Sequence, residues 1–291
     1  MKTLILTLTL LPYLLFAQTR IIPFSSNPGA GAAYTTEATR YFAAMSSQLV
    51  DSQKTNIDDL VISLQDTLSI DSLSQYFDCI YIFANETEES ALMNLVKRSN
   101  DATNVDATTF TAWQGFTGDG TADYINTNYN ATDDGVVYTL NDAHISLYRR
   151  VAGVDAGATS AMGVFETAAQ YTSYTILSVT MYWQINGATD ASSGAGGIIN
   201  AGYLMTTRTA SDEAFLYRNG TQEDNESPAS VALNTIDTYV LAENLDDGTA
   251  RRWKTDQASI VTFGKGMTET QAGYVNACIE AYLDGIGAGI Q

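Results

Sequence analysis

The second half of the sequence consists of short apolar runs that alternate with polar residues and are separated by glycine, aspartate and asparagine. From Phe110 onward these runs include HISLYRRV, MGVFET, YTILSVTMYW, GIINAGYLMTTRT, AFLYRNG, TYVLAEN and ASIVTFG. A period of two residues puts every second side chain on one face of a strand, so each run predicts a half-buried β-strand. Because many short strands between turn residues are typical of antiparallel all-β architectures, this part of the chain is predicted to form a β-sandwich.

Two local signals predict where elements begin and end in this part of the chain. The pair Asn219-Gly220 in YRNGTQ predicts a tight hairpin, because both central residues of a type I′ turn need a positive φ. In TETQAGYVNACIEAYL, Thr268 and Gln271 are spaced as a capping box. A final helix is therefore expected to close the domain.

The stretch GFTGDGTADYINTNYN concentrates glycine and aspartate in its first residues. We interpret it as a structural turn of the sandwich. Phe116 is expected to pack between two sheets, while Gly118, Asp119 and Gly120 reverse the chain through positive-φ conformations that a branched side chain resists. The alternative is a cation or sugar site at Asp119 and Asp123.

The N-terminal half of the chain has helical periodicity. One predicted strand, CIYIF, is followed by NETEESALMNLVKR, where Asn85 and Glu88 are spaced as a capping box for a helix ending near Arg98. The fold class predicted is α+β, a mainly antiparallel β-sandwich preceded by a small α-helical segment. The apolar residues with helical spacing are Ala38, Tyr41, Phe42, Met45, Leu49, Ile57, Leu60, Val61, Leu64 and Leu68.

The first residues, MKTLILTLTLLPYLLFAQ, are typical of a signal peptide, with one lysine, an apolar run and a small residue, Ala17. The apolar run is too short to span a bilayer comfortably. Cleavage near Ala17 is the favoured interpretation, and an uncleaved apolar arm buried in an assembly is the alternative. The predicted organisation is a signal-like segment over 1–17, a linker over 18–36, a helical segment with one strand over 37–105, and a sandwich with its C-terminal helix over 106–291.

Charge limits the partners that this chain can bind. The 14 Lys and Arg residues face 33 Asp and Glu residues, which gives a formal net charge of -19. Such a chain repels phosphate backbones and anionic membrane surfaces, so neither nucleic acid nor a membrane is expected as a partner. Neutral glycans, protein surfaces and bound cations remain open as partners.

The chemistry-bearing residues do not form a recognisable catalytic set. The chain has one histidine, His144, which is interpreted as a structural hydrogen-bonding residue, so paired-imidazole mechanisms are excluded. The ExDxxE pattern of jelly-roll glucanases is absent, and QEDNES is interpreted as a solvated loop. No catalytic residue and no enzymatic activity are predicted.

Metal binding and cysteine pairing have weak support in the sequence. Asp133 in TDDG and Asp246 in LDDGT offer oxygen ligands for Ca²⁺, but neither has the full loop spacing. No metal ligand or cofactor is therefore assigned. Cys79 and Cys278 lie in apolar surroundings and are predicted to be buried free thiols, with a disulfide as the alternative.

The densest basic and aromatic cluster is ARRWKTD, which contains Arg251, Arg252, Trp253 and Lys254. Trp253 could stack on a sugar or anchor an acidic neighbour, and this is the predicted binding site. Core packing of Trp253 beside solvated basic residues is the competing interpretation, and the sequence favours it. Trp183 in TMYWQIN is predicted to be a core residue with its indole N–H at an edge.

Three pieces in this order, GFTGDGTADYINT, AFLYRNGTQ and YVLAENLDDG followed by WKTDQASIVTFGKGMTETQAGYV, resemble the concanavalin A-like, laminin-G-like jelly roll. A longer pattern also includes DCIYIFANETEESALMNLVKR and ATNVDATTFTAWQGFTGDGTADYINT. That pattern, from Thr36 to Ile286, resembles phage and prophage virion-associated proteins of the head-fibre or tail-appendage type. The signal-like N-terminus departs from this type.

The resemblance implies a non-enzymatic virion structural or host-attachment protein whose jelly roll binds a glycan or a protein. The expected partners are further copies of the chain or other virion proteins, together with a cell-surface glycan. The expected location is the virion surface or the extracellular space. The alternative, which the leader favours, is a secreted bacterial carbohydrate-binding protein or glycan-active enzyme.

Overall fold

The structure, a computed structural model, describes residues 33–153, 157–166, 170–177, 180–188, 191–192, 200–227 and 229–291. The signal-like segment over 1–17 and most of the predicted linker lie outside the described residues. The strands in chain order are β1 (Phe77–Ile82), β2 (Thr103–Val105), β3 (Thr109–Thr111), β4 (Gly115–Thr117), β5 (Tyr124–Asn126), β6 (Ala143–Val151), β7 (Ala158–Glu166), β8 (Gln170–Leu177), β9 (Thr180–Gly187), β10 (Ala191–Ser192), β11 (Gly202–Ala210), β12 (Glu213–Arg218), β13 (Thr221–Glu226), β14 (Tyr239–Val240), β15 (Glu243–Leu245), β16 (Thr249–Arg251) and β17 (Gln257–Gly264).

Five α-helices and one short 3₁₀ helix (Leu73–Gln75) accompany these strands in the described part of the chain. None of them is both long and apolar enough to cross a membrane. The helices are α1 (Thr36–Ala43), α2 (Asp51–Leu68), α3 (Glu88–Leu92), α4 (Ala131–Asp134) and α5 (Glu269–Gly285).

The strands form two sheets. Sheet A has the order β13-β12-β11-β6-β17-β4-β3, with β1 paired to β17 beside β4. Sheet B has the order β10-β9-β8-β7-β14-β5-β2, and the hairpin β15-β16 joins it through β7. The pairings are antiparallel except that of β15 with β7, which is parallel. The predicted α+β class with an antiparallel β-sandwich is confirmed.

Sheet A is the middle of three layers, since it buries side chains on both faces. On β1, Cys79 and Tyr81 belong to the core between the two sheets, whereas Ile80 and Ile82 belong to the core beneath α1, α2 and α5. Successive side chains of a strand point to opposite faces, which is why a continuous apolar run suits this position. Phe116 on β4 is buried in the core between the sheets, as expected.

The segment over 37–105, predicted as helical with one strand, shares its packing with the sandwich. Its strand β1 pairs antiparallel with β17, so that Ile80 lies opposite Thr262. Its helix α2 packs against α5 from the other end of the chain, and both contribute to the core beneath the helices. The sandwich and the helical layer therefore share sheet A.

Two local predictions are confirmed. Asn219 and Gly220 have φ values of 50° and 75° and join β12 to β13. Thr268 caps α5, because its side chain accepts from the backbone N–H of Gln271 while the Gln271 side chain accepts from the backbone N–H of Thr268 at 3.0 Å.

The capping box predicted at Asn85 and Glu88 is wrong, and so is the helix predicted to end near Arg98. The capping box of α3 consists of Thr87 and Ser90, and the helix ends at Leu92. Asn85 is buried and donates to the Tyr41 hydroxyl at 3.0 Å. Beyond the helix the chain bends, and Asn94 forms an isolated bridge with Tyr81 of β1.

The acidic stretch QEDNES is not a loop, as predicted, but lies largely in β13 at the edge of sheet A. Its side chains are mostly exposed, which explains why no alternation of apolar residues marks the strand. Asp224 on this strand accepts the indole N–H of Trp183 at 3.1 Å. Trp183 itself is fully buried, so its predicted place in the core with the N–H at an edge is confirmed.

The turn after β4 differs in one respect from its prediction. Of Gly118, Asp119 and Gly120, only Gly120 has a positive φ, at 75°. Gly118 is required for space, because a Cβ there would lie 2.3 Å from the carbonyl oxygen of Lys254. The glycine-rich turn therefore combines one conformational requirement with one close backbone approach.

The two cysteines are buried free thiols, as predicted. Cys79 lies in the core between the sheets, whereas Cys278 on α5 lies in the core beneath the helices. Sheet A separates these two cores, so the alternative of a disulfide between them is excluded in this fold.

His144 is the structural hydrogen-bonding residue that the sequence predicted. Its Nδ1 donates to the Lys265 carbonyl oxygen at 2.6 Å, and its Nε2 lies 2.9 Å from the Thr262 hydroxyl. Because a carbonyl oxygen only accepts, Nδ1 carries the proton and Nε2 accepts. Burial lowers the pKa of His144 to about 4.

Candidate functional site

The predicted basic and aromatic cluster lies where the chain crosses from sheet B to sheet A. We call residues 252–256, between β16 and β17, the crossover. Backbone hydrogen bonds hold it at both sheets. Arg252 O accepts from Ser160 N at 2.7 Å, Lys254 N donates to Leu241 O at 2.9 Å, and Asp256 O accepts from Gly118 N at 3.3 Å. The side chains of the crossover are therefore displayed from a fixed backbone.

Arg251 and Arg252 share one buried carboxylate. Arg251 Nε donates to Glu243 Oε2 at 2.6 Å, and Arg252 Nη1 donates to Glu243 Oε1 at 3.2 Å. The Glu243 side chain is 1% exposed, whereas each arginine side chain is 29% exposed. The guanidinium of Arg251 also lies over the ring of Phe165, 4.4 Å from its centroid. Glu243 thus fixes two guanidinium groups that reach solvent.

Lys254 belongs to a second, closed ion-pair cluster. Its ammonium donates to the Gly153 carbonyl at 3.1 Å and lies 3.7 Å from Asp256 Oδ1. Arg149 makes a bidentate pair with Asp256, with Nε to Oδ2 at 2.6 Å and Nη2 to Oδ1 at 3.0 Å. All three charged side chains are buried. Lys254, although predicted as a binding residue, is therefore placed as a structural residue.

Trp253 stands between these two clusters and is half-buried. Its indole Nε1 is screened from solvent and has no acceptor among the described residues. A buried donor without an acceptor costs about 1 to 3 kcal/mol. Trp253 is therefore neither the fully buried core residue that the sequence favoured nor a fully exposed anchor. Its partly exposed ring borders Arg252 in sequence, whereas its N–H is closed to solvent in this structure.

The Asp119 carboxylate accepts hydrogen bonds from the turn in which it lies. Its Oδ1 accepts from the backbone N–H of Thr121 at 2.7 Å, of Ala122 at 2.9 Å and of Asp123 at 3.1 Å, and its Oδ2 accepts from the Thr121 hydroxyl. The Thr121 hydroxyl and these amides hold the pKa of Asp119 well below its usual range. Partial burial, and then the nearby Asp119 charge, raise the pKa of Asp123.

The structure does not gather the predicted cation ligands into a metal site. Asp133 accepts from the Asn130 side chain at 3.0 Å within the first turn of α4, and Asp246 lies in the turn between β15 and β16. Within the described ranges, no three His, Cys, Asp or Glu residues are placed to hold one ion. Calcium binding thus remains a prediction from the sequence.

Glu243 and Asp256, which organise the two clusters, were missed in the sequence. Each is an acidic residue at the end of an apolar strand run, in TYVLAEN and just before ASIVTFG. An acid at such a position must find a cation or leave the core, because an unpaired buried charge is strongly destabilising. That signal points to both residues, although it does not identify the arginines that pair with them.

Comparison with known proteins shows the fold. The chain is similar to the receptor-binding domain of botulinum neurotoxin C/D mosaic serotype, with a TM-score of 0.51 and 9% identity over 70% of this chain and 51% of that one. It is also similar to a mutant Trypanosoma rangeli sialidase displaying trans-sialidase activity, with a TM-score of 0.52 and 9% identity over 81% and 39% of the two chains. The T. rangeli sialidase in complex with 2,3-difluoro-KDN gives a TM-score of 0.50 and 10% identity over 82% and 40%.

The chain spans 51% of the toxin domain and about two fifths of the sialidases, 39% and 40%. No protein-family model matches the chain, and no curated protein matches its sequence. At these identities the likeness establishes the architecture of the chain, an α+β fold built on an antiparallel β-sandwich.

Proposed function

We propose that the protein is a non-enzymatic binding domain that holds a saccharide at Trp253, Arg251 and Arg252. The observation that carries this proposal is the half-exposed ring of Trp253, which directly follows two partly exposed arginines that Glu243 fixes. An aromatic ring covers the apolar face of a sugar, and rigid donors at its rim bond the hydroxyl oxygens. Neither group needs to be ordered on binding, which favours affinity.

Among the residues that the structure describes, the site has no group suited to acid-base catalysis. Glu243 is buried and engaged by both arginines, and Asp256 is buried and engaged by Arg149. A carboxylate held this way cannot approach a substrate. His144, the one histidine of the sequence, is buried in sheet A with both ring nitrogens engaged. These features support a binding role without turnover.

The similar structures include one with a binding role and two enzymes. One of them is a receptor-binding domain by name, and two others are sialidases. A β-sandwich of this type can thus serve recognition, although fold alone does not determine function.

We further propose that the domain acts in host attachment on a virion surface, as an oligomer with itself or with other virion proteins. The support is the sequence resemblance to head-fibre and tail-appendage proteins. The rival setting, a secreted bacterial carbohydrate-binding protein, is supported by the signal-like leader. Mass spectrometry of the native N-terminus separates the two settings. Met1 retained in particles supports the virion, and a chain that starts at Gln18 supports secretion.

The binding proposal is tested by screening the protein on a glycan array and titrating its best saccharide calorimetrically into variants. Trp253→Ala should weaken binding by about 2 kcal/mol, about 30-fold, because a central aromatic contact is lost. The same change should cost only about 1 to 2 kcal/mol of folding stability, since the ring is half-buried.

The matched control is Trp113→Ala. Trp113 is also half-buried, but it lies in the turn between β3 and β4, where its backbone N–H donates to Asn85 O at 2.7 Å. Its loss should leave binding unchanged. A folded Trp253→Ala protein that binds as the wild type does would refute the proposal.

A further inference from the structure

The exposed arginines of the site keep hydrogen-bond donors that the described part of the chain does not use. The side chains of Arg251 and Arg252 are each 29% exposed, and each gives one nitrogen to Glu243 among the described residues. Arg251 Nη2 and Trp253 Nε1 also lack an acceptor there, but both atoms are screened from solvent and lie out of a ligand's reach. The Glu243 carboxylate accepts from both arginines and lies 3.4 Å from the Thr175 hydroxyl. A ligand that contacts the exposed guanidinium nitrogens must therefore bring acceptors.

The net charge of the site favours negatively charged acceptors over neutral ones. Arg251 and Arg252 contribute two positive charges and Glu243 one negative charge, which leaves a net positive site on a protein whose formal net charge is -19. The nearest acidic residues along the hairpin, Asp246 and Asp247, lie in its turn. Leu245 pairs with Thr249 next to that turn, and Glu243 pairs with Arg251 at the opposite end. About three residues of strand, roughly 10 Å, separate the two ends, and this exceeds the screening length of about 8 Å at physiological salt.

The Arg252 guanidinium is also prepared for bidentate contact, because Glu243 accepts from its Nη1 and leaves the other nitrogens. Glu243 takes one nitrogen from each arginine, Phe165 supports the Arg251 plane from one side, and the remaining nitrogens of Arg252 point to no acceptor in the described chain. Paired parallel donors match the geometry of a carboxylate, and charge-assisted bonds of this kind are stronger than neutral ones.

From these observations we infer that the ligand is an acidic saccharide, whose carboxylate binds Arg251 and Arg252 while its ring contacts Trp253. The inference rests on the proposed function and narrows it to a substrate class. Inorganic phosphate and sulfate share the oxyanion chemistry, and the experiment separates them from the saccharide.

The test is a glycan array on which each carboxylated saccharide is printed beside its methyl ester, followed by titration of the best pair. The ester keeps the ring and removes the charge. The acid should bind at least about 10-fold more tightly than its ester at 50 mM salt, and the ratio should fall at 500 mM salt, where charges are screened. Equal binding of acid and ester, both abolished by Trp253→Ala, would overturn this inference and leave the proposed function standing.

Two variants should change the ratio of acid to ester affinity in opposite directions. Arg252→Gln should bring the ratio of acid to ester affinity close to one. Glu243→Gln removes the competing negative charge and keeps one acceptor for the arginines, so it should raise the ratio of acid to ester affinity several-fold. A merely structural role for Glu243 would weaken both ligands together. The control is Arg98→Gln, which removes an exposed arginine paired with Asp101 at 2.7 Å and should leave the ratio unchanged.

Thermal melting of each variant confirms that it is folded before it is titrated. If Arg252→Gln is unfolded, Arg251→Gln retains one arginine beside Glu243, and its ratio should also fall. Binding of inorganic phosphate or sulfate without any carboxylated saccharide would overturn the saccharide assignment. Failure of every saccharide on the array would overturn the proposed function together with this inference.

Discussion

Two ion-pair clusters include residues on either side of Trp253 in the sequence. Each pairs one buried carboxylate with two cations, and they differ in how far the cations are exposed to solvent. The closed cluster joins Asp256 to Arg149 and Lys254, and all of these side chains are buried. The open cluster joins Glu243 to two arginines that are each 29% exposed. In both, a carboxylate is withdrawn from water and held by two cations. The cluster with buried cations is therefore structural, whereas the cluster with exposed cations can contact a ligand.

The largest effect is expected in the closed cluster. Asp256→Ala leaves Arg149 and Lys254 buried without their carboxylate, so the free energy of unfolding should fall by about 3 to 5 kcal/mol. Urea denaturation followed by tryptophan fluorescence measures the loss. Arg98→Ala, at a half-exposed pair, is the control and should cost at most about 1 kcal/mol. A loss in Asp256→Ala no larger than in the control would mean that the two clusters do not differ in this way.

His144 is a buried polar group without a charged partner among the described residues, and it can be compared with the two ion-pair clusters. The pKa of His144 is lowered to about 4 in the folded state, from an ordinary value of about 6.5. The unfolded chain therefore binds the proton more readily, and folding stability should decline as the pH falls from about 6.5 toward 4, by at most about 3 kcal/mol from this residue.

The measurement for His144 is the free energy of unfolding of wild type and His144→Gln across this pH range. The variant removes the imidazole and keeps all carboxylates of the chain. The slope of its free energy of unfolding against pH should therefore be shallower than that of the wild type. Parallel slopes would contradict the assigned shift.

The turn before β5 offers a smaller effect. Gly120→Val places a branched side chain at a φ of 75°, which should cost about 1 to 3 kcal/mol of stability. Ala122→Val, two residues further along the same loop, is the matched control. An unchanged melting temperature in Gly120→Val would show that the turn adapts.

The smallest effect belongs to the open cluster. Glu243→Gln keeps an amide oxygen for one arginine, and both guanidinium groups reach water, so the loss of stability should be about 1 kcal/mol or less. Chemical denaturation provides the value. A loss as large as that of Asp256→Ala would place both clusters in the same structural class and remove the basis of the comparison.

The sequence was informative where short-range rules determine the structure. The Asn219-Gly220 hairpin and the Thr268 cap each depend on a few neighbouring residues. The strand β13 was mistaken for a loop, because an exposed edge strand has no apolar alternation to mark it. The partners of Asp256 could not be found, since Arg149 lies 107 residues away and only strand pairing brings the two together. Trp253 shows the same limit, as its exposure is set by both sheets.

The placement of the two thiols on opposite sides of sheet A has a consequence for where the chain can fold. Burial raises the pKa of Cys79 to about 12 and also raises the pKa of Cys278. Because the thiolate is the species that oxidises and exchanges, both sulfurs are inert at neutral pH. Neither an oxidising compartment nor a disulfide isomerase is needed to reach this fold.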